Sequence, residues 1–167
     1  MESLATSLLA ACQWLEDTQI GTTIREGGWE YAALNFVHLL GLLFAAGTIL
    51  FFDLRLLGFG LRRVSVSAAA RTLLPWTWAG FAVMLVSGGL LVSSEATRLF
   101  TNTAFRTKAV LLVLAGVNVL VFHNTVFRRV GAWDMETTPV QAKVAGAISI
   151  SVWFGMMAAG RMIGYTL

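Results

Sequence analysis

Four long apolar stretches, separated by short polar segments, dominate the chain. A membrane-spanning helix needs about 20 apolar residues to cross roughly 30 Å of hydrocarbon. The pattern therefore predicts an all-α chain, a single membrane domain over residues 1–167. Its transmembrane helices are expected at about residues 31–56, 74–93, 108–128 and 139–164. Because the connecting segments are short, the helices should form an up-down four-helix bundle.

The first 28 residues predict a helix that lies on the membrane surface rather than crossing it. Residues 3–15 are apolar but too few to span a bilayer. A one-sided apolar stripe is typical of an interfacial amphipathic helix. That stripe is formed by Leu4, Leu8, Cys12 and Leu15.

Composition excludes a water-soluble domain. Hydrophobic residues make up 57% of the chain and charged residues 13%, whereas soluble domains carry about 25% charged residues. The net charge of +3 comes from basic residues that lie between the apolar runs, so no nucleic-acid partner is expected. The expected partners are the lipid bilayer and other membrane subunits or a second copy of the chain. Cys12 is the single cysteine, which excludes a disulfide within the chain.

The distribution of Lys and Arg predicts the orientation. Cytoplasmic segments of membrane proteins carry an excess of these residues. One side of the predicted bundle has seven: Arg55, Arg62, Arg63, Arg71, Arg128, Arg129 and Lys143. The other side has five: Arg25, Arg98, Arg106, Lys108 and Arg161. The protein is therefore expected in a bacterial inner membrane, with both termini in the periplasm.

Polar residues inside the apolar runs are costly in lipid and need partners. Asn35, His38 and Asp53 fall within about 60° of one another on the first helix, so this side should face the interior. Asp53, close to Arg55, is expected to form a structural ion pair with Arg128 or Arg129. Other structural roles are assigned to Asn118, which should bond a neighbouring helix, to His123, and to Glu95, which should meet Arg161, Arg106 or Lys108.

The two histidines, His38 and His123, raise the possibility of a cofactor. His38 is expected roughly 10 Å from the outer side and His123 roughly 21 Å, which argues against one haem held by both. Met156 and Met157, on the antiparallel fourth helix, fall at the depth of His38. Histidine and methionine together can hold haem iron or a soft copper ion. The alternative is that the methionines only fill the core and that His38 bonds Asn35 or a serine.

A haem b or copper site centred on His38 would need support from its surroundings. Asn35 could orient the imidazole through its second nitrogen. Arg106, Lys108 and Arg161, all near the outer side, could compensate haem propionates.

Small residues predict where helices approach closely. In lipid, glycine and serine at an interface let two backbones come together. The Gly160-x-x-x-Gly164 spacing fits this pattern, and Pro75 is expected in the opening turn of the second membrane helix.

Several short motifs carry a resemblance to known families. They are Trp29-Glu30, His38-Leu39-Leu40-Gly41, Gly47, Asp53-Leu54-Arg55-Leu56-Leu57-Gly58, Pro75-Trp76-Thr77-Trp78-Ala79-Gly80, Phe105-Arg106-Thr107-Lys108, Phe122-His123 and Ala159-Gly160-Arg161. Over roughly residues 10–165 the chain resembles an uncharacterised bacterial four-helix membrane family, a domain of unknown function. His38, Gly47 and Arg55-Leu56 are also similar to the copper-resistance D membrane proteins and the haem-binding membrane protoporphyrinogen oxidases, which implies haem or copper.

The sequence thus favours a redox or metal-handling membrane protein with His38 as ligand. The alternative is a cofactor-free structural or assembly subunit of a membrane complex. A small transporter is less favoured, since no apolar run is broken mid-membrane by Gly and Pro as carrier sites often are. Whether the protein is an enzyme stays open.

Overall fold

A computed structural model describes residues 2–61 and 63–166, with the side chains of 6–61 and 63–165. Within these residues the regular structure is helical. The helices are α1 (Glu2–Glu16), α2 (Gln19–Glu26), α3 (Glu30–Leu57), α4 (Val66–Ser94), α5 (Ala96–Thr101), α6 (Thr103–Thr125), a 3-10 helix (Phe127–Ala132) and α7 (Val140–Thr166). Met1, Arg62 (counted in the orientation argument) and Leu167 lie outside the described residues, as do the side chains of residues 2–5.

Four helices, α3, α4, α6 and α7, are long and apolar enough to cross a membrane, as the sequence predicted. Their number and composition are those of a multi-pass membrane protein. About half of their large apolar side chains are exposed on the outside of the molecule, and lipid tails solvate such surfaces as well as another helix does.

The four long helices are arranged in the order α4, α3, α7, α6, with each helix packed mainly on the next. Gly41 lies against Gly80 and Thr48 against Thr77, so α3 and α4 run in opposite directions. Between α3 and α4 the Thr48 and Thr77 hydroxyls hydrogen-bond at 2.7 Å. Between α6 and α7 the Asn118 Nδ2 donates to the Ala145 carbonyl at 3.0 Å, which confirms the expected interhelical role of Asn118.

The close backbone approach is between α3 and α4, at Gly41 and Gly80. A Cβ at Gly80 would lie 2.6 Å from the Gly41 carbonyl oxygen and 2.5 Å from the Ala45 nitrogen. The expectation of a close contact at Gly160 and Gly164 was wrong. A Cβ at Gly160 would meet the Lys108 side chain at 3.7 Å, and one at Gly164 would meet nothing within 4 Å. Small residues allow a close helix contact at several places in the sequence. The packing of the helices decides at which of them two backbones come together.

The buried core is concentrated at one end of the molecule, where α3 ends, α4 begins and the 3-10 helix crosses. It contains Ile49, Phe52, Leu56, Val66, Ala69, Ala70, Phe122, Trp133 and Ala142. Gly146 brings α7 against α3 at this end, since a Cβ there would lie 3.3 Å from the Asp53 carbonyl oxygen. Towards the other end a groove lies between α3 and α7.

The N-terminal helices pack on the opposite end, against α4 and α5. The Glu16 carboxylate accepts hydrogen bonds from the Thr97 backbone N–H at 2.7 Å and from its hydroxyl at 2.9 Å. Gly21 lies so close to α4 that a Cβ would be 2.6 Å from the Ser93 carbonyl oxygen. Trp14 is 71% exposed. This segment is therefore anchored to the helices, and its contact with a membrane surface stays a prediction.

Two helix starts differ from the predicted bounds. The helix expected from residue 74 begins at Val66, eight residues earlier, so Pro75 lies inside α4 rather than in its opening turn. The helix expected over 108–128 begins at Thr103 and ends at Thr125. Both extensions mix apolar residues with polar ones such as Arg71 and Arg106, which interrupt an apolar count. Side chains cap them, with Ser65 accepting from the Ala68 N–H and Asn102 from the Phe105 N–H.

Asp134 adds a second cap to α4 from the segment before α7. Its carboxylate accepts from the Ser67 N–H at 2.7 Å and the Ser67 hydroxyl at 2.5 Å. These two hydrogen bonds hold the pKa of Asp134 below its ordinary value. The carboxylate therefore stabilises the fold above its ordinary pKa, and this contribution is lost as the pH falls through the lower pKa of the folded state.

Candidate functional site

The groove between α3 and α7 has a volume of about 370 Å³. Its walls are Leu39, Leu42, Leu43, Ala46, Gly47, Ile49, Leu50 and Asp53 from α3, and Ile150, Trp153, Phe154 and Met157 from α7. Asp53 is the one ionisable side chain among these lining residues. Between Leu39 and Asp53 the groove runs for about 21 Å along α3.

Asp53 is buried without the partner that a carboxylate needs. It is 3% exposed, and its Oδ2 atom has no hydrogen-bond partner among the described residues. The Ser149 side chain on α7 is the polar group that interacts with this carboxyl. An unsatisfied buried polar atom costs about 1–3 kcal/mol and a charged one more. A group kept at this cost is a candidate for function.

The expected ion pair of Asp53 with Arg128 or Arg129 was wrong. Both arginines are exposed on the 3-10 helix. The ion pairs formed by the described residues are Arg25–Glu26 at 3.8 Å and Arg98–Glu95 at 3.5 Å. The physical reason is that Gly146 lets α7 cover Asp53, while the chain after α6 turns its arginines outward.

Arg55 is also not the counter-ion, although it is two residues from Asp53 and buried. Two residues correspond to about 200° around a helix, so Arg55 lies on the opposite side of α3. Its Nε donates to the Val64 carbonyl at 2.7 Å. It therefore ties the end of α3 to the segment that leads into α4.

Glu95 does not meet Arg161, Arg106 or Lys108, so this expectation was wrong as well. Glu95 ends α4 and pairs with Arg98 on the adjacent short helix. The guanidinium of Arg161 donates to the Tyr165 hydroxyl at 2.9 Å and lies 4.9 Å from the centre of its ring. Local partners three or four residues away satisfy both groups.

His38 lies against α4, on the side of α3 next to the groove wall. Its Nδ1 is 3.0 Å from the Ser87 Oγ, and Ser87 donates its hydroxyl hydrogen to the Val83 carbonyl at 2.6 Å. A serine hydroxyl has one hydrogen, so the Ser87 oxygen accepts and Nδ1 carries the proton. In the neutral imidazole this leaves the lone pair on Nε2. Gly88 gives the ring its room, since a Cβ there would lie 3.1 Å from Cε1.

Asn35 or a serine was expected to bond His38, and the structure shows the serine, Ser87. Asn35 is exposed, one turn closer to the start of α3, where that side of the helix is uncovered. Ser87 takes this role instead. Met157 lies on the groove wall, whereas the His38 imidazole bonds Ser87 on α4. The use of Met156 and Met157 as ligands beside His38 stays a prediction.

Lys108 lies inward at the end of the groove opposite Asp53. Its alkyl chain passes over Gly160, one turn beyond Met157, and it is close enough for its charge to act on His38. Arg106 and Arg161 are exposed. Of the three cations expected to surround a cofactor, Lys108 alone is held in the interior.

His123 has a local environment of its own. Its Nδ1 is 3.2 Å from the Val119 carbonyl of the preceding turn. Its ring packs on Phe122 and Phe127, at centroid distances of 5.6 and 5.1 Å. These contacts fill the core near the 3-10 helix.

Comparison with known families matches residues 11–166 to DUF6644, a family of unknown function. The chain belongs to the DUF6644 family. This confirms the expected membership of a family without an established activity. No curated protein and no solved structure matches this DUF6644 chain, so its chemistry has to be argued from its own residues.

The sequence of this DUF6644 chain placed Asp53 on the polar side of the first helix and gave no role to Ser149. The contact between the Asp53 carboxyl and Ser149 was therefore missed. The sequence does show an acid, Asp53, inside one apolar run and a serine, Ser149, inside another. It does not show that α3 packs against α7, and without that contact the two residues cannot be paired.

Proposed function

We propose that the protein is a small membrane protein that binds a lipophilic molecule in the groove between α3 and α7, with Asp53 as the polar group that holds it. The observation that supports this is Asp53, which lines an otherwise apolar groove and has a buried carboxyl oxygen without a hydrogen-bond partner among the described residues. Ligand sites are mostly apolar and have a few polar groups, with volumes of about 300–1,000 Å³. The groove, at about 370 Å³, falls within this range.

We further propose that the protein lies in a bacterial inner membrane with both termini in the periplasm. The excess of Lys and Arg beyond the ends of α3 and α6 supports this orientation. Asp53 then lies towards the cytoplasmic side and His38 towards the periplasmic side.

Carbodiimide labelling tests whether a lipophilic molecule reaches Asp53. Dicyclohexylcarbodiimide takes up the carboxyl proton, and the carboxylate oxygen then attacks its central carbon. The product rearranges to a stable N-acylurea that mass spectrometry detects. We expect one adduct on Asp53 in the protein purified in detergent, and none in Asp53→Asn.

The matched control is a water-soluble carbodiimide, which should modify exposed acids such as Glu136 and leave Asp53 unmodified. The proposal fails if Asp53 is inert to the lipophilic reagent, or if both reagents modify it equally.

A second candidate function is favoured by the tautomer of His38. Because Nδ1 donates to Ser87, Nε2 is the nitrogen available to a metal, and ligating histidines commonly donate their other N–H in this way. Among the described residues no three His, Cys, Asp or Glu side chains form a metal-binding group. Haem b or copper would therefore have His38 as its one assigned ligand.

The visible spectrum and metal content of the purified protein test this candidate. If haem is bound, a Soret band is expected that His38→Ala abolishes and His123→Ala leaves in place. Ser87→Ala should lower the affinity about 10–100-fold, as loss of an outer-shell partner does. A colourless, metal-free protein would contradict the candidate and favour the cofactor-free subunit.

A further inference from the structure

We propose that the molecule taken by the groove is a lipophilic cation, with the Asp53 carboxylate as its counter-ion. This rests on the proposed function and names its ligand class. The groove offers one unpaired ionisable group, and that group is acidic. Removing a carboxylate from water is costly unless it is paired. A bound cation would supply the partner that the fold does not.

The charges around the groove favour a cation at the Asp53 end. Neither wall carries a basic side chain. Arg55 is on the opposite side of α3 and bonded to Val64. Lys108 lies over Gly160, beyond the end of the groove that is far from Asp53. Along α3 the groove is about 21 Å long, from Leu39 to Asp53. The Lys108 charge is therefore weak at Asp53, and an anionic ligand would meet the Asp53 charge uncompensated.

The α7 wall adds a second attraction for a cation. Trp153 and Phe154 line it, and Trp153 is one turn from Ser149. The face of an aromatic ring attracts a cation, tryptophan most strongly. The remaining lining residues are aliphatic or Met157, and these solvate an apolar body. The walls thus suit an organic cation whose charge is surrounded by hydrocarbon.

An inorganic cation fits the site poorly. Hard cations such as Ca²⁺ take six to eight oxygen ligands, whereas Asp53 has the Ser149 hydroxyl as its polar neighbour. In the part of the chain that the structure describes, no three acidic, His or Cys side chains come together. The ligand has to bring its own apolar shell.

Three probes of similar shape and different charge test the inference on the full-length protein. They are tetraphenylphosphonium, neutral tetraphenylsilane and tetraphenylborate. We expect the phosphonium to bind at least about tenfold more tightly than the neutral probe, a difference of about 1.4 kcal/mol. Asp53→Asn should abolish this preference and leave the neutral probe bound as before. Glu136→Gln, which removes an exposed acid, should change neither.

The outcomes separate the two proposals. If none of the probes binds the wild-type protein, the proposed function itself is contradicted. If the neutral or anionic probe binds as tightly as the phosphonium, or if Asp53→Asn keeps the preference, the groove stands and the cation inference is overturned. Asp53→Glu keeps the charge and should keep the preference for the phosphonium over the neutral probe. This variant tests the inference even if Asp53→Asn fails to fold.

Discussion

Replacing Gly80 with alanine is expected to lower the free energy of unfolding by about 3 kcal/mol, the upper part of the range for overpacking. The added Cβ would lie 2.5 Å from the Ala45 nitrogen and 2.6 Å from the Gly41 oxygen. Both are backbone atoms and cannot rotate away, so α3 and α4 must separate. Thermal unfolding in detergent, followed by circular dichroism, measures the loss.

Gly89→Ala is the matched control for this prediction. Gly89 is on the same helix, and a Cβ there would meet nothing within 4 Å. Its unfolding temperature should stay at the wild-type value. Equal losses in the two variants would show that the effect comes from the helix itself and not from the contact between α3 and α4.

Replacing Asp53 with leucine is expected to raise the free energy of unfolding by about 2 kcal/mol, whereas the Gly80 variant lowers it. Leucine removes a buried polar atom that has no partner, and such an atom costs about 1–3 kcal/mol. The groove beside Asp53 has room for the larger side chain. The same variant should lose carbodiimide labelling. Residues kept for function often lower stability, so their replacement commonly stabilises the fold and abolishes the function.

Ser149→Ala provides the contrast, because it keeps the carboxyl and removes the neighbour that interacts with it. It should be less stable than the wild-type protein. If Asp53→Leu were destabilised as strongly as a core variant, Asp53 would be a satisfied structural residue and its unpaired oxygen would have no functional meaning.

Much of the fold could be predicted because membrane helices are long and apolar. Their number was predicted and is confirmed, and so is the interhelical bond of Asn118, which contacts Ala145. The starts of α4 and α6 could not be predicted from hydrophobicity, since polar residues such as Arg71 and Arg106 interrupt their first two turns. These turns are held by caps at Ser65 and Asn102.

The candidate site was predicted less well, because its partners come from other helices. Angles along α3 placed His38 and Asp53 on one side, but they could not show which neighbour covers each. Ser87 on α4 took the role expected of Asn35. Gly146 let α7 cover Asp53 and kept it from the arginines of the 3-10 helix. Close packing at Gly88 and Gly146 decided which helix covers His38 and which covers Asp53. Glycines are too common in membrane helices for their spacing to predict these contacts.

Carbodiimide labelling of Asp53 in a protein whose groove has been filled tests the central claim most directly. Ala46 lines the groove, so Ala46→Phe should block the path and reduce the adduct on Asp53 to a small fraction of the wild-type level. Ala82→Phe, on an exposed position of α4, should label as the wild-type protein does. Full labelling of Ala46→Phe would show that the groove is not the route to Asp53 and would contradict the proposed function.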